Sequence, residues 1–169
     1  IAFLQCVGSR DQSHDYCSSV CCMYATKEAI MACEHEPDTE IHVFMMDMRA
    51  FGKGYLEYYR QAREQYGIKY TYCRVSALKE DPASKNLIVR YYGDDGTLQE
   101  ESFDLVVISV GMEMSPEVRE LGRRLEIELD EHGFCQTTGF RPLETSRAGI
   151  FACGSFVAPK DIPETVVEA

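Results

Sequence analysis

The stretch Ile1 to Cys33, IAFLQCVGSRDQSHDYCSSVCCMYATKEAIMAC, constrains the fold more than any other part of the chain. The apolar run Ile1 to Leu4 reads as a buried strand, and Cys6 falls where that strand should end. A polar loop, Ser9 to Tyr16, follows. Cys17, Cys21 and Cys22 then arrive just as a helical pattern begins, giving the spacing C-x10-C-x3-C-C. Strand, thiol-bearing loop and helix start are thereby tied together.

Thiols crowded at a strand end and a helix start favour a metal site over simple packing, although cysteine is also a common core residue. A helix N-terminus presents unpaired N–H groups and a partial positive charge, and both favour thiolates. The spacing predicts Cys17 and Cys21 on one helical face. Cys22 is turned away by about 100°. Such splayed neighbours suit an iron–sulfur cube, with an iron at each ligated corner, better than one small tetrahedral ion. Zinc, which also takes four thiolates, stays open. A dithiol reductase using Cys21 and Cys22 is disfavoured by the strict geometry of a disulfide.

The helix is expected from Ser18 to His35, capped by Ser18 or Ser19. Its apolar stripe is Val20, Met23, Tyr24, Ile30 and Met31, with Lys27 where another apolar residue should stand. Lys27 either snorkels to water or is aimed at an anion, because a buried ammonium needs a negative partner. Glu40 to Asp47 reads as a second strand, parallel to the first, so the chain opens like a Rossmann unit. The turn after the first strand is Gln5-Cys6-Val7-Gly8-Ser9-Arg10, without the G-x-G-x-x-G that admits a pyrophosphate. This argues against NAD(P) binding there. Asp47 stands where a ribose-binding acid would lie. Arg49 to Tyr55 is a glycine-containing basic loop, either facing an anion or solvated, and Leu56 to Tyr66 is an amphipathic helix stopped by Gly67.

An antiparallel region is expected next. Ile68 to Val75 alternates like a strand, and Asn86–Tyr92 and Leu98–Phe103 flank the hairpin signal Gly93-Asp-Asp-Gly96. Leu105 to Val110 reads as a buried central strand ended by Gly111. A short helix from Pro116 to Leu121, a turn at His132-Gly133, a strand Gly149 to Gly154 and a helix from Pro159 complete the reading. A strand ending in glycine before a helix start makes an anion- or cofactor-cradling edge. The length suits one domain, or a smaller domain with part of another. The chain opens without Met inside an apolar strand and closes inside the helical run PETVVEA, and so reads as an internal piece of a longer protein.

The net charge of −11 argues against nucleic acid or an anionic membrane as partner. No apolar run is long enough to span a bilayer. Eight cysteines without a secretory signal point to a reducing compartment, the cytoplasm, and to ligand chemistry.

The order of elements resembles the nucleotide-binding lobe and the returning half of the flavin lobe of flavoproteins such as thioredoxin reductase. More closely, QCVGSRD, YCSSVCCMYATKEA, MRAFGKGY and APKDIPETV resemble the family of the flavin-containing A subunit of heterodisulfide reductase. That resemblance covers nearly the whole chain. It implies an α/β fold, with a Rossmann-like parallel sheet and an antiparallel meander, divided into a cluster-bearing lobe at 1–114 and part of a flavin lobe at 115–169. It implies that Cys6, Cys17, Cys21 and Cys22 ligate a [4Fe–4S] cluster and that Lys27 approaches a flavin. It also implies that Gly154, Ser155, Lys160, Asp161, Ile162, Glu164 and Thr165 cover FAD. Ser155 departs from the wider flavoprotein pattern, which has an acid there. The first half of the flavin lobe, with its own glycine motif, is not in this sequence.

The expected function is therefore electron transfer between FAD and the cluster, extending to flavin-based bifurcation. The expected partners are other heterodisulfide-reductase-type subunits and a ferredoxin- or hydrogenase-type electron carrier. The competing expectation is a non-catalytic structural or docking lobe whose cysteines hold zinc or nothing.

Overall fold

The computed structural model describes residues 1–169. The chain forms two compact units, Ile1–Val7 with Cys21–Val110, and Gly8–Val20 with Gly111–Ala169. The sequence division cut once, between residues 114 and 115; by packing, the loop carrying Cys17 is grouped with the later residues.

In the first unit, β1 (Ala2–Val7), α1 (Cys21–His35), β2 (His42–Met45), α2 (Tyr55–Glu64) and β3 (Lys69–Tyr72) alternate as the apolar pattern requires. A meander β4 (Ala77–Glu80), β5 (Leu87–Tyr92) and β6 (Leu98–Phe103) follows, and β7 (Val106–Val110) returns to the first sheet. The four-stranded sheet has the order β3-β2-β1-β7 and is parallel throughout, while β4-β5-β6 is antiparallel. The fold is thus the expected α/β one.

Period-two alternation sends alternate residues of β1 to two different cores. Phe3 packs with Ala25, Ala29, Ile30 and Ala62 of the two helices. Ala2 and Leu4 pack with Phe44, Val89 and Tyr91 beneath the meander. The buried face of α1 is built of small residues, Cys21, Cys22, Ala25, Thr26 and Ala29, ending in Ile30. Small residues let the helix lie close to the sheet. This differs from the stripe expected from bulky residues: Met31 is exposed, and so is Lys27.

Other expectations need correction. The first helix begins at Cys21, not Ser18, because Ser19 takes a left-handed conformation (φ 68°) that a helix does not accommodate. β3 pairs parallel with β2 and belongs to the first sheet, not to the antiparallel region. β7 is an edge strand with Ile108 and Val110 exposed and Ser109 buried. A continuous apolar run signals a strand but not its place in the sheet.

The second unit holds α3 (Pro116–Arg124), capped by the Ser115 side chain accepting from Val118 N–H. A short 3-10 turn (Gly154–Phe156) and α4 (Ile162–Glu168) close it. Its small core is Ile127, Cys135 and Ala152. The strand expected at 149–154 is reduced to an isolated bridge between Glu144 and Phe151, since the turn-rich chain around it offers no ladder partner. No helix is long and apolar enough to cross a membrane.

Candidate functional site

The C-terminal ends of parallel strands are where α/β sheets bind ligands, and in the first unit that edge carries the thiols. β1 is bulged between Leu4 and Val7, and Cys6 sits in the bulge at φ 61° with 8% exposure. A left-handed cysteine is uncommon, and bulges re-aim side chains beside functional sites. Cys21 and Cys22 form the first residues of α1, 2% and 4% exposed.

Their electrostatics are unusual. The Cys22 thiol lies near Asp47 O, at 3.7 Å. A hydrogen bond from Cys21 is the largest cause that lowers the Cys22 pKa, to about 7, with the Arg49 backbone N–H assisting against the opposing effect of burial. Asp47 itself is held by the Arg49 guanidinium at 3.1 Å. The acid expected at a ribose position is therefore engaged in fixing the loop that donates to Cys22.

A polar pair links β1 to β7. Gln5 Nε2 donates to Ser109 Oγ at 2.8 Å. Burial raises the pKa of the Tyr24 hydroxyl, as does the charge of Cys21, while Ser109 lowers it. Gln5 Oε1 is the buried side-chain oxygen that has no hydrogen-bond partner.

Cys17 belongs to the second unit, in a loop that is firmly tied there. Tyr16 O–H donates to Met112 O at 2.7 Å, and Met112 N–H donates to the buried Ser18 Oγ at 2.9 Å. Gly111 must be glycine, since a Cβ there would meet Gly8 O at 2.5 Å. Tyr16 packs edge-on against His132 and Phe134. Cys17 Sγ accepts from Ser19 N–H at 3.3 Å. Because Cys17 precedes α1, it does not share a helical face with Cys21, contrary to the spacing argument. No group of three or more His, Cys, Asp or Glu side chains is gathered so as to hold a metal ion. The donor set nonetheless fits thiolate ligation chemically: three buried sulfurs at a strand bulge and a helix start, one of them already acidic.

The residues expected at a flavin lie together in the second unit. Gly154 opens the 3-10 turn at φ 66°, and a Cβ there would stand 2.6 Å from Thr165 Cγ2. Asp161 and Glu164 form a reciprocal capping box at α4, and Thr165 Oγ1 donates to Asp161 O. Ser155 and Ile162 are exposed. The sequence reading missed Glu168. Its carboxylate accepts from Gly154 N–H at 2.9 Å and pairs with Lys160 Nζ, which lowers its pKa. The sole sequence signal was its place at the end of the helix, eight residues beyond Lys160.

A cleft of about 970 Å³ at the opposite edge of the first sheet is lined by Asp38, His42, Tyr66, Lys69, Glu101 and Asp104, among others. It includes none of the expected site residues. His42 there is buried between Glu101 (2.9 Å) and Thr71 (2.7 Å), and burial lowers its pKa.

The model of the family described as pyridine nucleotide-disulphide oxidoreductase matches residues 24–169, beginning just past Cys22. The chain is 44% identical over 176 residues to the iron-sulfur A subunit of the CoB–CoM heterodisulfide reductase of Methanocaldococcus jannaschii, covering 100% of this chain and 26% of that protein. It is 45% identical over 175 residues to the iron-sulfur A subunit numbered 2 of the same enzyme in Methanopyrus kandleri, covering 99% of this chain and again 26% of that one. The chain thus spans about a quarter of the length of these relatives. In fold it is similar to the crystal structure of LpdA from Mycobacterium tuberculosis (TM-score 0.57, 15% identity), over 99% of this chain and 32% of that one. By the family match and these whole-chain relatives, the chain belongs to the pyridine nucleotide-disulphide oxidoreductases and, among them, to the family of the heterodisulfide reductase A subunit.

Proposed function

We propose that this chain is the electron-transfer segment of a flavin and iron–sulfur oxidoreductase of the heterodisulfide reductase type. Cys6, Cys17, Cys21 and Cys22 ligate a [4Fe–4S] cluster, which when bound supplies a one-electron relay. The single observation that carries this reading is the set of buried thiols, Cys6 at the β1 bulge and Cys21 and Cys22 at the start of α1, with hydrogen bonds that lower the Cys22 pKa. A thiolate already favoured by the protein loses little on ligation.

The chain's own residues do the rest. The first turn of α1 offers N–H groups and a positive dipole end to anionic sulfur. The β1 bulge aims Cys6, and burial of Cys6, Cys21 and Cys22 keeps water from their sulfurs. Gly154, Ser155 and the Lys160–Thr165 helix start contact FAD in the complete protein. Glycine at 154 admits the close approach of Thr165, and Glu168 holds the Gly154 N–H and the Lys160 ammonium in place beside it. Lys27 is exposed on α1, and its proposed approach to the flavin follows the family resemblance. Other subunits of a heterodisulfide-reductase-type complex and a ferredoxin- or hydrogenase-type carrier are the partners, in the cytoplasm, with bifurcation as an extension of the same role. Visible absorption of protein prepared under argon tests this. A broad shoulder that bleaches with dithionite, with iron and sulfide present, is expected. A colourless, zinc-loaded protein would overturn it.

A further inference from the structure

Among the histidines only His42 is buried, and both of its ring nitrogens are engaged. It stands on β2, on the face of the parallel sheet that the meander covers, with the Phe44 and Tyr91 rings at 3.9 and 6.1 Å. Nδ1 meets Glu101 Oε2 of β6 at 2.9 Å, and Nε2 meets Thr71 Oγ1 of β3 at 2.7 Å. The other Glu101 oxygen accepts from the Tyr91 hydroxyl of β5 and from Lys69 Nζ of β3, the latter at 3.2 Å. One carboxylate hung from the meander is thus held by donors on both sheets. Burial opposes its ionisation, yet the hydrogen bonds from Tyr91 and His42 lower its pKa. An ionised Glu101 places the imidazole proton on Nδ1, so the neutral ring accepts at Nε2 from the Thr71 hydroxyl.

We propose that the His42–Glu101 pair is a pH-sensitive latch, which docks the meander on the parallel sheet at neutral pH and releases it in mild acid. The groups facing the ring are the Lys69 ammonium on β3, the Glu101 carboxylate on β6 and the Tyr91 phenol on β5, with Asp38, Glu40 and Asp104 along the adjoining cleft. β1 meets His42 with Ala2. Burial lowers the pKa of His42, against the pull of Glu101 and with the aid of the Lys69 charge. An exposed ring therefore binds a proton more tightly than the docked ring. Docking is strongest above the ordinary histidine value and weakens as pH falls through it. The latch lies within the first unit and does not depend on the role of the cysteines.

The test is hydrogen exchange read by mass spectrometry on peptides of β5 and β6, expressed as protection corrected for the intrinsic exchange rate at each pH. From about pH 7.5 to about 5.5 that protection should fall about tenfold, the change set by a ring with a pKa of about 6.5 when exposed that stays neutral when docked. Helix α1, on the other face of the sheet, should keep its protection. In His42→Gln, which cannot titrate but keeps an N–H donor toward Glu101, the protection of β5 and β6 should not fall. An equal fall in both proteins, a fall shared by α1, or no fall in the unsubstituted protein overturns the proposal. Should His42→Gln fail to fold, a nuclear magnetic resonance titration of His42 in the unsubstituted protein decides. Loss of protection that tracks protonation of the ring is the expected result, and a ring that protonates with β5 and β6 still protected overturns the latch.

Discussion

Cys22 and Cys73 lie in the same unit, at the start of α1 and just beyond β3, and both are withdrawn from water. Burial opposes ionisation at each. Yet Cys22 is pulled down to about 7, while Cys73 is pushed up to about 11 from an ordinary value of 9.0. The difference lies in what faces the sulfur. Cys22 receives hydrogen bonds from Cys21 and the Arg49 N–H; Cys73 faces the carboxylates of Asp94 and Glu101. Burial with facing carboxylates makes an inert thiol. Donors converging on a buried sulfur favour its thiolate.

The largest effect expected from this contrast is in the titration of the metal-free protein. At pH 8 the thiolate fractions differ by roughly 10³-fold. The rise of thiolate absorbance near 240 nm that is lost in Cys22→Ser should therefore lie well below in pH the one lost in Cys73→Ser, and coincident rises would break the comparison. Next is the donor itself. Arg49→Pro removes the N–H and should raise the Cys22 pKa by about one to two units, the worth of a hydrogen bond to a charged group. Arg49→Ala, which keeps the N–H, should shift it much less, and thiolate absorbance near 240 nm reads both.

The same contrast appears in stability against pH. A depressed thiol pKa adds stability above its unfolded value, and that stability is lost as pH falls through the folded one. The metal-free protein should thus gain stability from about pH 7 to 9 through Cys22. A raised pKa gives stability that is present below 9 and lost as pH rises toward 11, through Cys73. Urea unfolding of Cys22→Ser should lose the rise, and that of Cys73→Ser should lose its share of the fall. The smallest effect belongs to Lys27→Met. The residue is exposed and is not among the groups that shift Cys22, so stability should change by no more than about 0.5 kcal/mol, with the Cys22 titration unmoved. A larger change in either would show that Lys27 belongs to the thiol site.

Local chemistry was legible in the sequence where a residue type admits few solutions. The Gly93–Gly96 hairpin and the parallel pairing of β1 and β2 follow from turn and period signals. What failed depended on tertiary position. The apolar run at 106–110 could not reveal that β7 is an edge, and small residues on α1 outweighed the bulky stripe that placed Lys27 inside. At the site, the spacing of Cys17 and Cys21 suggested one helical face. It could not foresee a left-handed Ser19 that delays the helix. Glu168 and the buried Gln5 oxygen are invisible without coordinates, since each is defined by what lies across space from it.

The most direct test of the central claim is iron content across serine replacements of all eight cysteines, in protein prepared and assayed under argon. Replacement of Cys6, Cys17, Cys21 or Cys22 should each lower the iron bound, while replacement of Cys33, Cys73, Cys135 or Cys153 should leave it unchanged. Iron that survives in the first set and disappears in the second would contradict the account.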